Sequence, residues 1–221
     1  MNLKELVSDP AWLFDLGFSV RKWKGGQADP QHPDSWSLGA AYRIPAFQEL
    51  SNKERPGTFA MAWSQHAILM EVGWEHALPM SSPMPNVQLD FYIDTRCSRG
   101  IHRANAHCHY FQFRWRQDFF KAVTSDVMVV RPLVISRAKA YPGYPNVGQV
   151  RGWITATEKQ ILLKLMIPYE SLSGCDPVEF PEWSVMCLVT DGRKRFSLAR
   201  HMSTVPFDDP SLWCCARLVE A

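Results

Sequence analysis

The sequence predicts an all-β chain, a single antiparallel sandwich of two stacked sheets with short helical turns. Three observations carry the prediction. Apolar residues recur at every second position in several separated runs, the spacing of strands that lay one face on a core. Pro 16, Trp 9 and 12% aromatic residues favour β-structure broken by many turns. Helical periodicity is weak except at residues 3–7 and in a turn near Tyr169, Glu170, Ser171 and Leu172.

The strands follow in order. Residues 58–63 and 67–72 flank a short polar turn, Ser64, Gln65 and His66, and read as a hairpin. Val87, Leu89, Phe91 and Ile93 share one parity, while Gln88, Asp90, Tyr92 and Asp94 share the other. After a polar loop, His107 and His109 fall in register with Phe111, Phe113 and Trp115, which face a core. Tyr110, Gln112, Arg114 and Arg116 then face outward. Ile161, Leu163, Leu165 and Ile167 alternate with Leu162, Lys164 and Met166. Val185, Cys187 and Val189 lead through Thr190, Asp191, Gly192 and Arg193 into a return at Phe196 and Leu198, a second hairpin. A proline has no amide hydrogen for a ladder, so the proline clusters at 79–85 and 141–145 read as connections.

No repeat, low-complexity tract or linker divides the 221 residues. One sandwich of immunoglobulin-like or jelly-roll type is expected over residues 38–221, with residues 1–37 an N-terminal segment packed on it. Trp63, Trp115, Trp153, Trp183 and Trp213 adjoin alternating apolar positions and are assigned to the core.

Composition excludes several classes. A net charge of +2 offers no basic footprint for nucleic acid, and no apolar run reaches the ~18 residues of a membrane span. The first residues lack the cationic start and apolar run of an export signal, so a cytoplasmic location is expected. None of the six cysteines forms a CxxC pair, and all are expected to be reduced thiols, with Cys108 and Cys187 buried in strands. No GxSxG elbow, phosphate loop or GxGxxG turn is present, so no catalytic residue is assigned and no enzyme is expected.

The densest polar stretch runs from Asp94 to Tyr110. His102, His107 and His109 have the chemistry of metal ligands, but the core-facing parity of the last two favours a structural role, and no metal is assigned. Arg96, Arg99 and Arg103 around Asp94 have the forked geometry that grips carboxylates, or else brace their own loop while Asp94 accepts backbone amides. Trp74, Tyr141 and Tyr144 lie next to loops, where aromatic rings stack on sugars or plug the loop beneath them.

Three blocks taken together resemble a known family. Residues 89–96 (LDFYIDTR) with His102, Arg103, Ala104, Asn105, Cys108 and His109 form the first, and residues 161–168 with Leu172 and Gly174 the second. Residues 207–213 (FDDPSLW) before a last strand at 214–219 form the third. In this order, across residues 38–220, they resemble an uncharacterised bacterial family grouped with family 9 carbohydrate-binding modules and DOMON-like sandwiches. The resemblance implies a non-catalytic ligand-binding sandwich without a cofactor. In such modules two tryptophans clamp the sugar, and the matching positions here are Met84 and Phe207, with Trp74 offered from the same connection as Met84. The implied ligand set is Trp74, Phe207, Asp94, Arg96, His102 and Arg103, and the implied ligand a saccharide or similar small polar molecule. Two alternatives stand beside it. One is an intracellular interaction domain with a protein partner. The other is haem binding of the DOMON type, through Met84 with His102 or His109.

Overall fold

Alternation in the sequence becomes pleat in the structure. Val87, Leu89, Phe91 and Ile93 are all within 1% of complete burial, as their shared parity requires. The computed structural model describes residues 17–25, 29, 32–44, 57–75, 86–98, 100–115, 126–157, 159–192, 194–197 and 207–220. The helical stretch at 3–7, the proline cluster at 79–85 with Met84, and Arg99, Arg116 and Leu198 lie outside these residues.

Among the described residues the chain forms β1 (Gly17–Lys22), β2 (Thr58–Trp63), β3 (Ala67–Glu75), β4 (Val87–Asp94), β5 (Cys108–Trp115) and β6 (Asp126–Val127). It continues through β7 (Val129–Leu133), β8 (Arg151–Ala156), β9 (Gln160–Pro168), β10 (Glu182–Asp191), β11 (Lys194–Ser197) and β12 (Cys214–Val219). Helical structure is confined to single 3-10 turns, including the expected one at Tyr169–Ser171. No described helix is long and apolar enough to cross a membrane.

All twelve strands belong to one hydrogen-bonded sheet with the order β6-β8-β9-β3-β2-β1-β12-β10-β4-β5-β7, and β11 pairs with β10 off this path. A division into two stacked sheets is not confirmed. The sheet is mixed and nearly closed into a barrel-like shape. Two features make the difference. β1 pairs in parallel with both β12 and β2, while the other pairings are antiparallel. The two ends of the path, β6 and β7, are separated only by Met128, so one short segment hydrogen-bonds to β8 with its first half and to β5 with its second. Alternation cannot separate the two architectures, because a sandwich and a barrel both need every second residue to point inward. Residues 17–22, read as part of a segment lying on the sandwich, are instead a strand within the sheet.

The core lies inside this curved sheet, with Trp183, Phe91, Phe111 and Phe113 fully buried at its centre. The five tryptophans assigned to the core are all buried. A smaller cluster covers the opposite face of β2, β3 and β9, where Trp36 and Leu38 pack with Ala62, Leu69, Trp153 and Met166. That outer cover explains why β3 is buried at every position but its last, where a strand with one solvated face would alternate. The hairpin after β10 turns through Gly192 at φ 56, a left-handed conformation that favours glycine. Pro132 sits in β7, the last strand of the path, where a missing amide costs one side of pairing only.

No disulfide joins any of the six cysteines in this structure. Cys108 and Cys187 are buried, and burial pushes the Cys108 thiol up to about 12, so both behave as small apolar groups.

Candidate functional site

The predicted ligand set divides on inspection of its contacts. Trp74 does not reach a rim. It lies within β3, is 3% exposed, donates its indole hydrogen to Asp191 Oδ2 at 2.7 Å and meets Phe196 edge-on. The sequence pattern placed the strand's end too early. Asp94 is fully buried and accepts the backbone amides of Arg96 at 2.9 Å and Ser98 at 2.7 Å, the loop-bracing role. Arg96 lies over the Phe180 ring at 3.2 Å, and the Arg103 Nε donates to the Arg137 carbonyl at 2.7 Å. These three side chains hold the loop between β4 and β5.

Phe207 and His102 come together at one turn. Asp209 caps the turn Pro210–Leu212 by accepting the Ser211 amide, and the Trp213 indole donates to the Phe207 carbonyl at 3.1 Å. Exposed His102 reaches across from the β4–β5 loop, its Nδ1 3.1 Å from both Asp209 Oδ2 and Ser211 Oγ. Tyr144 plugs its own loop, donating to the Leu133 carbonyl at 2.9 Å and accepting the Tyr110 amide at 3.2 Å.

His109 is sealed in the core beside Phe111 and Tyr144, neither ring nitrogen meeting a hydrogen-bond partner among the described residues. Burial is the main reason its pKa falls to about 4; the Ser173 backbone opposes the shift without the geometry of a full hydrogen bond. The ring is neutral at physiological pH. As for the haem reading, Met84 lies outside the described residues, His102 is engaged at the turn, and His109 has no exposed surface.

The residues the sequence reading missed lie on the face of β4 and β5 that turns away from the centre of the core. Register sets Gln88 opposite Arg114, Asp90 opposite Gln112 and Tyr92 opposite Tyr110. Asp90 gathers the row: its Oδ1 accepts the Tyr110 hydroxyl at 2.7 Å and the Gln112 amide at 3.0 Å, and its Oδ2 accepts the Gln88 amide at 2.7 Å. Arg114 Nε donates to Gln88 Oε1 at 3.0 Å. An ionised carboxylate offers about four acceptor sites, so one remains beyond these three bonds.

Aromatic rings continue the row. Tyr92 and Tyr110 stack with centroids 4.2 Å apart, and Phe207 lies nearly parallel to Tyr92 at 6.0 Å. Trp213 tilts against Tyr92 at 5.6 Å. Burial, reinforced by Asp90, pushes the Tyr110 hydroxyl up to about 12, and burial raises that of Tyr92 as well. Both phenols therefore keep their hydrogens near neutral pH. Gln112 was expected to face outward into solvent but is 6% exposed, since Asp90 draws it into the network. The parity of β4 announced this face; the partners on β5 depend on register, which one strand's sequence does not contain.

No protein-family model matches the sequence, and no curated protein matches it. Solved structures do. A family 9 carbohydrate-binding module from Caldicellulosiruptor kristjanssonii in complex with cellotriose superposes with a TM-score of 0.53 at 11% identity, over 92% of this chain and 93% of that one. A family 9 module from the same organism in complex with glucose gives 0.51 at 8% identity, over 92% and 97% of the two chains. The likeness spans nearly the whole of each chain while the sequences have diverged almost completely, and it is a likeness of architecture: in fold, this chain is similar to the family 9 carbohydrate-binding modules.

Proposed function

We propose that this chain binds a saccharide, or a similar small polar ligand rich in hydroxyls, without catalysing its conversion. The observation that carries the reading is the β4–β5 row, in which Gln88, Asp90, Gln112 and Arg114 adjoin the stacked rings of Tyr92, Tyr110 and Phe207. A sugar ring has apolar C–H faces and a hydroxyl rim, and a row of aromatic rings beside fixed donors and acceptors offers partners to both parts. The solved structures similar in fold hold cellotriose and glucose, which supports the same ligand class. Phe207 belongs to this surface, and His102 borders it through the shared turn. Asp94, Arg96 and Arg103 serve the loop that supports it.

Titration with cellotriose, glucose and a wider glycan panel tests the reading, with Trp213 beside Tyr92 as a fluorescent reporter. Arg114→Ala and Phe207→Ala are each expected to weaken binding about tenfold, the equivalent of ~1.4 kcal/mol for one lost polar or stacking partner. Arg103→Ala is expected to leave affinity unchanged. No calorimetric or fluorescence response to any glycan at millimolar concentration overturns the proposal.

A further inference from the structure

Three potential metal ligands from separate parts of the chain converge on one edge of the β10–β12 pairing. Cys97 follows β4, Glu182 opens β10 and Cys215 lies in β12, and their ligand atoms all lie within 4.8 Å of one another. We propose that Cys97, Cys215 and Glu182 form a binding site for a thiophilic divalent cation, with zinc the ion whose preferences they match. The site uses none of the residues of the β4–β5 row and stands independently of the saccharide reading.

Geometry is the first argument. A tetrahedral zinc holds thiolates at ~2.3 Å, which sets two of them roughly 3.8 Å apart. The Cys97 and Cys215 sulfurs are 3.7 Å apart. A carboxylate oxygen completes a set of three protein ligands and leaves the fourth position to water.

Surroundings are the second. The Ser184 hydroxyl donates to the Cys97 sulfur at 3.2 Å and so fixes its position. Arg217 fixes the Glu182 carboxylate through Nε at 2.9 Å and Nη2 at 2.8 Å, in the way that outer groups commonly orient a ligating carboxylate. Two thiolates, one carboxylate and a divalent cation sum to −1, and the Arg217 charge brings the group to neutrality.

Access is the third. Cys97 and Glu182 are partly exposed, and Cys215, itself buried, lies beside Gly17 of β1, which adds no side chain over it. Cys97 is held at φ 44, a left-handed conformation uncommon for a residue with a side chain. On binding, the two thiols release their protons to solvent as two metal–sulfur bonds form, and nothing is oxidised. No local spacing announces this site, because its cysteines are 118 positions apart and lack the CxxC spacing of a zinc ribbon.

Titration of the reduced chain with cobalt(II), a coloured stand-in for zinc, tests the proposal. One equivalent is expected to bind with the near-ultraviolet charge-transfer band of two thiolates, and zinc to bleach it. Cys97→Ser and Cys215→Ser should each abolish the two-thiolate band, and Glu182→Gln should weaken binding about tenfold while retaining it. Circular dichroism checks that each variant folds. In the unaltered chain, zinc should protect the partly exposed Cys97 from alkylation, a readout that needs no variant. Absence of the band, its survival in both single cysteine variants, or equal alkylation with and without zinc overturns the proposal.

Discussion

Lys164→Ala is expected to destabilise the fold by about 3–5 kcal/mol, the range for removing one partner of a buried ion pair. The Lys164 side chain is only 10% exposed although it belongs to a strand position that alternation turns away from the main core. Its ammonium donates to the carbonyls of Pro33 at 2.8 Å and Trp36 at 2.7 Å, and lies 3.7 Å from Glu71 Oε1 across the β3–β9 pairing. The same charge stands 5.1 Å from the centre of the Trp36 ring. One lysine thus fastens residues 33–36 over the sheet while answering the buried Glu71. Burial pushes the Glu71 carboxyl up from its ordinary range, and the Leu38 backbone and Lys164 pull against that shift. Deleting the lysine strands two carbonyls and a carboxylate together. Urea unfolding measures the loss. The double variant Lys164→Met with Glu71→Leu should recover part of it, since the charge is then removed along with its partner. A loss below about 1 kcal/mol in the single variant would show that the cover is held by Trp36 packing alone.

The second large effect is expected on acidification. The His109 pKa is about 4 in the folded chain, against 6.5 for an unperturbed imidazole, because the neutral ring is sealed in the core and His107 lies nearby. The unfolded chain therefore takes up a proton before the folded one does. Stability from this group is fully present above pH ~6.5, falls as pH drops, and levels off below ~4. The 2.5-unit gap corresponds to a loss of about 3 kcal/mol. Denaturation curves at neutral pH and near pH 4 should show this fall, and His109→Leu should remove it while leaving the slope from carboxylates in place. Parallel pH profiles for the two proteins would refute the assignment.

How much of this was legible beforehand varies with the kind of information needed. Strands with long alternation, such as β4, β9 and β10, and both hairpin turns follow from local chemistry, since parity and turn residues are written in consecutive positions. β1 was overlooked, although Phe18 and Val20 alternate with exposed neighbours, because six residues make a weak signal and its parallel partners lie far along the chain. The same limit hid the candidate site. Gln88, Asp90 and Tyr92 were identified as one face, but a face gains chemistry only when register sets Arg114, Gln112 and Tyr110 beside it. Trp74 erred in the opposite direction: its place before a proline-rich connection suggested exposure, while its bond to Asp191 depends on a residue 117 positions away. The loop-bracing alternative for Asp94 was legible because that acceptor role is completed within four residues.

The passage from β6 through Met128 to β7 has a consequence for solubility. Exposed strand borders act as templates for self-association, and many sheets must guard two of them with charge, bulges or covering loops. Here the outermost strands at both ends of the path belong to one stretch of chain, and the Met128 amide donates to the Gly152 carbonyl at 2.8 Å to keep that stretch seated. A single cleavage or misplaced proline at this point would open both borders together, turning a local lesion into a route to polymerisation.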